Sequence, residues 1–141
     1  MTKILFAYDG SEESRRALRY ASRLRERDSV IVLSVATKLI EAPSTTQFTE
    51  PGHGPESVQE GLEDVREIMS DAGVDAEYIS KIGNPAAEIL NTAETRDVEL
   101  IVVGRRGHTL FARWLLGSVA RQVIAHAACA VTVVRAKDPH A

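Results

Sequence analysis

The chain has 141 residues, of which 44% are hydrophobic and 26% are charged, and its formal net charge is −3. This length and composition are typical of one globular domain with a substantial buried core. The negative net charge argues against general nucleic-acid binding through bulk electrostatics, so any anion site must be local.

The N-terminus and the cysteine content indicate the compartment. The five consecutive apolar residues Ile4 to Tyr8 are too few for the core of a signal peptide, and no apolar run approaches a membrane span. The single cysteine, Cys129, cannot form an internal disulfide, and we expect it to be a small buried side chain. The four histidines lack the paired spacing of a metal site. We therefore expect a cytoplasmic protein with no membrane partner.

The first half of the chain alternates predicted strands and helices. An apolar strand at 4–8 ends at the turn Asp9-Gly10-Ser11, and Ser11 is the predicted N-cap of a helix. A second apolar strand follows at 30–35, and the segment 37–56, rich in Pro, Gly, Ser and Thr, predicts a long flexible loop. The first helix has an apolar face of Ala17, Leu18, Ala21 and Leu24 and a water-facing side of Arg15, Arg16, Arg19 and Arg23.

The second half continues the alternation. Helical spacing resumes at Val58 and stops at Gly73, and Asn84 followed by Pro85 is a typical start for the next helix. The inward residues of these helices are predicted to be Val58, Leu62, Val65, Ile68 and Met69, then Ile89, Leu90 and Ala93, then Val119, Val123, Ile124 and Ala127. The later strands are predicted at 76–82, 100–103 and 131–134.

The strands are mostly continuous apolar runs rather than alternating ones. That pattern, with a helix between successive strands, is typical of a parallel sheet covered by helices on both faces. We find no internal repeat and no linker. The predicted fold class is therefore α/β, with one domain over residues 1–141 built on a single doubly wound, five-stranded parallel sheet.

Glycines and positive charge are concentrated late in the chain. Gly104, Gly107 and Gly117 stand at fixed offsets, Ser118 follows the last of them, and three arginines but no acid lie between Gly104 and Ser118. Ligands of doubly wound sheets bind beyond the carboxyl ends of the strands. Glycines there let backbone N–H groups approach a ligand, and a helix N-terminus favours phosphate. The pattern predicts a phosphate site, with Arg105 and Arg106 as candidate phosphate contacts.

This motif is neither a Walker loop nor a dinucleotide fingerprint, because no lysine follows a glycine near Ser118 and no Gly-x-Gly-x-x-Gly occurs. Its spacing resembles the nucleotide-binding motif of the universal stress protein family. "KILFAYDGSEES" resembles that family's opening strand and acidic turn, "LSV" the end of its second strand, and "IGNPAAEIL" its Gly-x-Pro helix start. The resemblance covers nearly the whole chain and implies a Rossmann-like fold of the adenine nucleotide alpha hydrolase type.

The resemblance also implies the ligand and its contacts. The ligand would be ATP, with Asp9 at the ribose or base and the backbone of Val35 at the adenine. Asp9 is also the one obvious acid near the predicted phosphates and hence the candidate Mg²⁺ ligand. Two residues depart from the family pattern. Arg105 stands where the family commonly has a small polar residue, and it would either crowd or clamp the phosphates. Ala130 stands where the family commonly has a proline before the last strand. The ribose and phosphates would be held by Gly104, Gly107, Gly117, Ser118 and Val119.

Simpler interpretations stay open at this stage. Asp9 can cap its own turn, Ser118 can be the N-cap of the last helix, and the arginines can be solvated surface charge.

Three functions are compatible with the sequence: an ATP-binding sensor or switch in the stress response, a slow ATPase or nucleotidyl-transferring enzyme, or a structural dimerisation module with an empty site. No nucleophile sits in a recognisable motif with a base, so no catalytic residue is predicted and hydrolysis should be slow at most.

The sequence of the last strand predicts a contact with a second copy of the chain. It is apolar, lacks proline, and commonly lies at a sheet edge in an alternating chain, where unpaired backbone groups invite another strand. The family resemblance implies the same contact. We therefore expect a homodimer joined through Val131, Thr132, Val133 and Val134.

Overall fold

Five parallel strands form one sheet in the computed structural model, which describes residues 2–19, 29–36, 63, 65–105 and 117–135. The order across the sheet is β3-β2-β1-β4-β5, and every neighbouring pair is parallel. The predicted fold class is therefore confirmed. The strands are β1 Lys3–Ala7, β2 Ser29–Ala36, β3 Ala76–Ile82, β4 Leu100–Gly104 and β5 Ala130–Val134.

Helices connect the strands, and two of them begin at the predicted caps. The Ser11 hydroxyl accepts a hydrogen bond from the Ser14 N–H at 3.1 Å. The Asn84 side chain accepts one from the Ala87 N–H at 3.0 Å, with Pro85 as the first helical residue. The helices are α1 Glu12–Arg19, α2 over residues 65–71, α3 Pro85–Thr95 and α4 Ser118–His126.

The helices cover the two faces of the sheet in pairs. On one face, Leu18 of α1 and Met69 of α2 pack with Phe6 and Val32 of the sheet. On the other face, α3 and α4 pack over a second cluster, which comprises Leu5, Ile31, Leu33, Ala86, Ile89, Ala93, Val98, Ile101, Val103, Ala120 and Val123. Successive residues of a strand point to opposite faces, so each strand supplies both clusters and must be apolar throughout.

The edge strand β3 is accompanied by charge. Glu77 forms an ion pair with Arg96, Lys81 lies 3.6 Å from the Glu88 carboxylate, and the Arg66 guanidinium lies 4.8 Å from the centroid of the Tyr78 ring. Charged side chains along an edge oppose pairing with another strand.

Several predicted details are corrected. Ile124 is 47% exposed rather than inward, because α4 turns Ala120 and Val123 toward the core and Ile124 lies about 100° further round the helix. Arg16 is half-buried and donates to the Arg135 carbonyl at 3.2 Å. Leu90 and Cys129 are half-buried rather than buried. The predicted loop 37–56 lies outside the described residues.

Within the described part of the chain, no helix is both long and apolar enough to cross a membrane.

Candidate functional site

The winding of the sheet reverses between β1 and β4. From β1 the chain continues outward to β2 and β3, whereas β4 and β5 lie on the other side of β1. The two central strands are in register, with Phe6 beside Val102. A crevice at the carboxyl ends of such a pair is the usual ligand position in doubly wound sheets. The segments that leave these ends are residues 8–11 and 104–105, so Asp9 and Gly104 emerge at the same edge.

The turn after β1 is shaped by Asp9. Its Oδ1 atom accepts a hydrogen bond from the Ser11 N–H at 2.8 Å, and Gly10 adopts a left-handed φ of 82° between them. The side chain of Asp9 is exposed. The simpler interpretation, in which Asp9 stabilises its own turn, therefore describes one real role of this residue.

The first turn of α1 packs against the end of β4. Ser11, Glu13 and Ser14 are all buried, and the Ser14 hydroxyl donates to the Ser11 carbonyl at 2.8 Å. A Cβ atom on Gly104 would lie 3.6 Å from the Ser14 nitrogen and 3.6 Å from a carboxylate oxygen of Glu13. Gly104 therefore permits a close approach between helix and strand, and a buried carboxylate stands beside the predicted phosphate loop.

The backbone of one residue, Arg105, joins three elements at this edge. The Arg105 N–H donates to the Val134 carbonyl at 2.9 Å, which extends the pairing of β4 with β5. The Arg105 carbonyl accepts from the Gly117 N–H at 2.7 Å. The start of α4 is thereby fixed directly beside the end of β4, although eleven residues of chain separate Arg105 from Gly117.

The N-terminus of α4 has no side-chain cap. Gly117 occupies the N-cap with φ −62° and ψ 156°, and its carbonyl accepts from the Arg121 N–H at 3.0 Å. The prediction of Ser118 as N-cap is therefore wrong: Ser118 is the first helical residue, and its side chain is exposed. The extended conformation that defines an N-cap falls one residue earlier, on a glycine that cannot supply a capping oxygen.

The remaining predicted contacts are distributed as follows. Val35, near the end of β2, and Val119, in the first turn of α4, are both half-buried and pack against the core cluster under α3 and α4. Arg105 is half-buried at the end of β4. Arg106 and Gly107 lie outside the described residues. The structure thus brings Asp9, Gly104, Gly117 and Ser118 to one edge of the sheet, with Val35 on the neighbouring strand.

Sequence reasoning missed Glu13 and Ser14 at this site. The signal was present, because "SEES" places a second serine three residues after the N-cap, the spacing of a capping contact. Both residues looked like ordinary first-turn polar residues, and their burial depends on the approach of α1 to Gly104. No group of three or more His, Cys, Asp or Glu that could hold a metal ion occurs among the described residues.

Comparison with known proteins identifies the family. A model of the universal stress protein family matches residues 1–135. The universal stress protein YxiE of Bacillus subtilis is 36% identical over 148 aligned positions, which span 94% of this chain and 98% of that protein.

Solved structures agree on the fold. The hypothetical protein MJ0577 superposes with a TM-score of 0.79 at 27% identity, over 97% of each chain. A universal stress protein family member from Arabidopsis thaliana, solved with AMP bound, gives 0.71 at 19% identity, over 99% of this chain and 95% of that one. A universal stress protein in complex with cAMP gives 0.69 at 24% identity, over 94% and 95%. Because the family model matches residues 1–135 of this 141-residue chain, the chain belongs to the universal stress protein family.

Proposed function

We propose that this protein binds ATP at the carboxyl ends of β1 and β4 and acts as a sensor or switch in the stress response rather than as a fast enzyme. The observation that supports this best is the uncapped N-terminus of α4 beside the end of β4. The first N–H groups of a helix have no partner within the helix, and together with the helix dipole they attract an anion. A phosphate group would serve as the missing cap.

The proposed contacts follow from this position. The phosphates would accept hydrogen bonds from the backbone N–H groups of Ser118 and Val119 and from the exposed Ser118 hydroxyl, while Arg105 adds positive charge. The Gly117 N–H already donates to the Arg105 carbonyl, so Gly117 would contribute by its lack of a side chain, which lets the phosphates approach. In the same proposal Gly107 and Arg106 line the phosphates, Asp9 contacts the ribose or base, and the backbone of Val35 borders the adenine. The half-buried state of Val35 suits a position that is partly open to a ligand at the end of its strand.

Related proteins support the class of ligand. Family structures of the same fold contain AMP in one case and cAMP in another. Both ligands carry an adenine, a ribose and a phosphate, the three groups for which this edge of the sheet has candidate contacts. We infer ATP for this chain because three arginines and no acid lie between Gly104 and Ser118, which suits a longer, more negative phosphate chain.

Hydrolysis should be slow or undetectable. The site offers donors and positive charge, which stabilise bound ATP. Neither carboxylate described at this edge is assigned as a base that orients an attacking water, because Asp9 accepts from its own turn and Glu13 is buried. Asp9 is the proposed Mg²⁺ contact, and Mg²⁺ would be held mainly by the phosphates themselves. The competing proposal, a slow ATPase or nucleotidyl-transferring enzyme, requires repeated release of ADP or AMP. Phosphate release at about one turnover per second or faster, the ordinary enzyme range, would overturn the expectation of slow hydrolysis.

The first test is to denature freshly purified protein and identify any released nucleotide by mass spectrometry. Calorimetry with ATP, AMP and cAMP then measures the affinity of stripped protein for each. We expect ATP to bind most tightly. If none of the three binds, the nucleotide proposal is wrong; if AMP or cAMP binds more tightly than ATP, the site is correct and the assigned ligand is wrong.

We also propose a homodimer through β5. This strand pairs with β4 on one side, and it exposes Ala130 and Thr132 while Val131 and Val133 are half-buried. The other edge strand, β3, is accompanied by the ion pairs of Glu77 and Lys81, whereas no charged residue lies within β5. Pairing about a two-fold axis would satisfy the backbone of β5 in both copies.

A further inference from the structure

Two helices carry rows of opposite charge along their outer sides. The side chains of Arg15 and Arg19 on α1 are exposed, and Arg23, which lies outside the described residues, continues the same spacing of four. Glu67 and Asp71 on α2 and Glu63, two residues before it, are exposed acids and are again four residues apart. Like charges four residues apart on a helix repel one another, so the spacing within each row is unfavourable by itself.

Both rows lie over the same face of the sheet. Leu18 of α1 and Met69 of α2 belong to one core cluster, so the two helices cover that face side by side. α1 contacts β1, β4 and β5, whereas Arg66 of α2 lies over Tyr78 of β3. The arginine row therefore lies toward the β5 edge and the acidic row toward the β3 edge.

We propose that this helix-covered face binds a second copy of the same chain, with α1 of each copy against α2 of the other. A two-fold axis between facing sheets, parallel to the strands, exchanges the β5 side with the β3 side and so sets each arginine row opposite an acidic row. A spacing of four residues is about 6 Å along either helix, so the two rows have the same repeat. Such a contact is closed and uses the same surface on both copies.

The charge pattern selects this partner over others. A nucleic acid or another polyanion would meet the row of Glu63, Glu67 and Asp71, and a basic protein would meet the row of Arg15 and Arg19. A partner must present both charges in the reverse order, as a rotated copy of the chain does. The contact uses neither the candidate nucleotide site nor β5, so it stands independently of both earlier proposals.

The test is sedimentation velocity of the full chain at about 25 mM and about 500 mM NaCl, since exposed charges are screened at high salt. Two variants reverse one row each: Arg15→Glu with Arg19→Glu, and Glu63→Arg with Glu67→Arg. We expect wild-type protein to lose mass at high salt. Each variant alone should show a dissociation constant at least about tenfold higher at low salt, because four attractive pairs become repulsive across the two-fold contact.

The decisive measurement mixes the two variants in equal amounts. In the mixed pair every α1 again faces an α2 of opposite charge, so the low-salt association should return. A matched control reverses two exposed charges on the opposite face, Glu94→Arg with Arg121→Glu, and should behave as wild type. Circular dichroism establishes that each variant is folded; if a charge reversal unfolds the chain, Arg15→Gln with Arg19→Gln replaces it and should also weaken association.

Three results would overturn the proposal. Wild-type mass could be the same at both salt concentrations. The reversal of only one row could weaken association, which would indicate a single-charge partner such as a polyanion rather than a second copy. Finally, the mixture could remain as dissociated as its two components.

Discussion

A Cβ atom on Gly104 would lie 3.1 Å from the Cβ atom of Glu13, closer than side chains normally pack. Glu13 is 4% exposed and belongs to the first turn of α1, so its Cβ moves only if the helix backbone moves. The glycine at the end of β4 is therefore favoured by packing whether or not a ligand is bound. This gives one of the motif glycines a structural role that can be measured without any nucleotide.

Gly104→Ala should lower the free energy of unfolding of the nucleotide-free protein by about 1 kcal/mol. Overpacking typically costs about 1–3 kcal/mol, and the reduced entropy of the unfolded chain offsets about 0.4–1 kcal/mol of it. Urea denaturation measures the change. In a Glu13→Gly background the same alanine should cost less, because its close neighbour is absent. A Gly104→Ala protein as stable as wild type would show that α1 shifts freely.

Gly117→Asp should separate stability from nucleotide binding. Gly117 already has N-cap dihedral angles, so an aspartate there can cap α4 and should keep or raise the free energy of unfolding by a few tenths of a kcal/mol. Its carboxylate would occupy the proposed phosphate position and repel ATP, so calorimetry should show no binding. Gly117→Ser is the matched neutral control and should retain part of the affinity. ATP binding by Gly117→Asp with wild-type affinity would place the phosphates elsewhere.

Ser118→Ala tests a single proposed hydrogen bond. Because the Ser118 side chain is exposed and does not cap α4, its loss should change stability by less than about 0.5 kcal/mol. A hydrogen bond to a charged phosphate contributes about 1.5–3 kcal/mol, so the ATP dissociation constant should rise roughly tenfold to 150-fold. The two measurements are urea denaturation and calorimetry. An unchanged affinity would remove Ser118 from the site.

The sequence predicted the strands well because the physical signal is strong. Residues of a sheet covered on both faces are apolar at every position, and a run such as Ile4 to Tyr8 has few other interpretations. The N-caps Ser11 and Asn84 were equally clear, since their side chains bond to backbone only three residues away. Local rules of this kind need no knowledge of the tertiary structure.

Features that depend on packing between distant elements were not predictable. The burial of Glu13 follows from the approach of α1 to Gly104, ninety-one residues later in the chain. Likewise, the choice of Gly117 over Ser118 as N-cap depends on the bond from its N–H to the Arg105 carbonyl, which fixes where α4 begins. The outward position of Ile124 depends on the rotation of α4 over the sheet.

Tyr78 should make stability fall at alkaline pH. Burial raises the pKa of Tyr78 above the ordinary value of 10.0, with Asp75 raising it further and Arg66 opposing the change. The unfolded chain therefore loses this proton at lower pH than the folded protein does. The contribution of protonated Tyr78 to the free energy of unfolding is complete below about pH 10. It is lost as the pH rises through the pKa that Tyr78 has in the folded protein. In Tyr78→Phe this part of the decline should be missing from urea denaturation curves; an identical decline in both proteins would contradict the assignment.

Val133→Pro tests the proposed β5 dimer. Proline removes a backbone N–H and is poorly tolerated within a paired strand, so the variant should be monomeric and somewhat less stable. Light scattering at micromolar concentration in about 500 mM salt, where surface charge contacts are screened, measures the mass against the monomer's 15.4 kDa. Thr132→Lys, at an exposed position of β5, should also weaken the dimer with less effect on folding. A wild-type monomer, or a fully dimeric folded Val133→Pro protein, would exclude this interface.

The central place of β1 has a consequence for how the chain is made. Its neighbours are β2, which follows within about thirty residues, and β4, which begins only at Leu100. During synthesis, the N-terminal portion with β1, β2 and β3 thus emerges before β4, and the apolar edge of β1 that will pair with β4 is exposed. Pairing of β1 with β4 needs contacts nearly a hundred residues apart, which slows folding. Nascent chains that stall before residue 100 should be particularly prone to aggregation and dependent on chaperones.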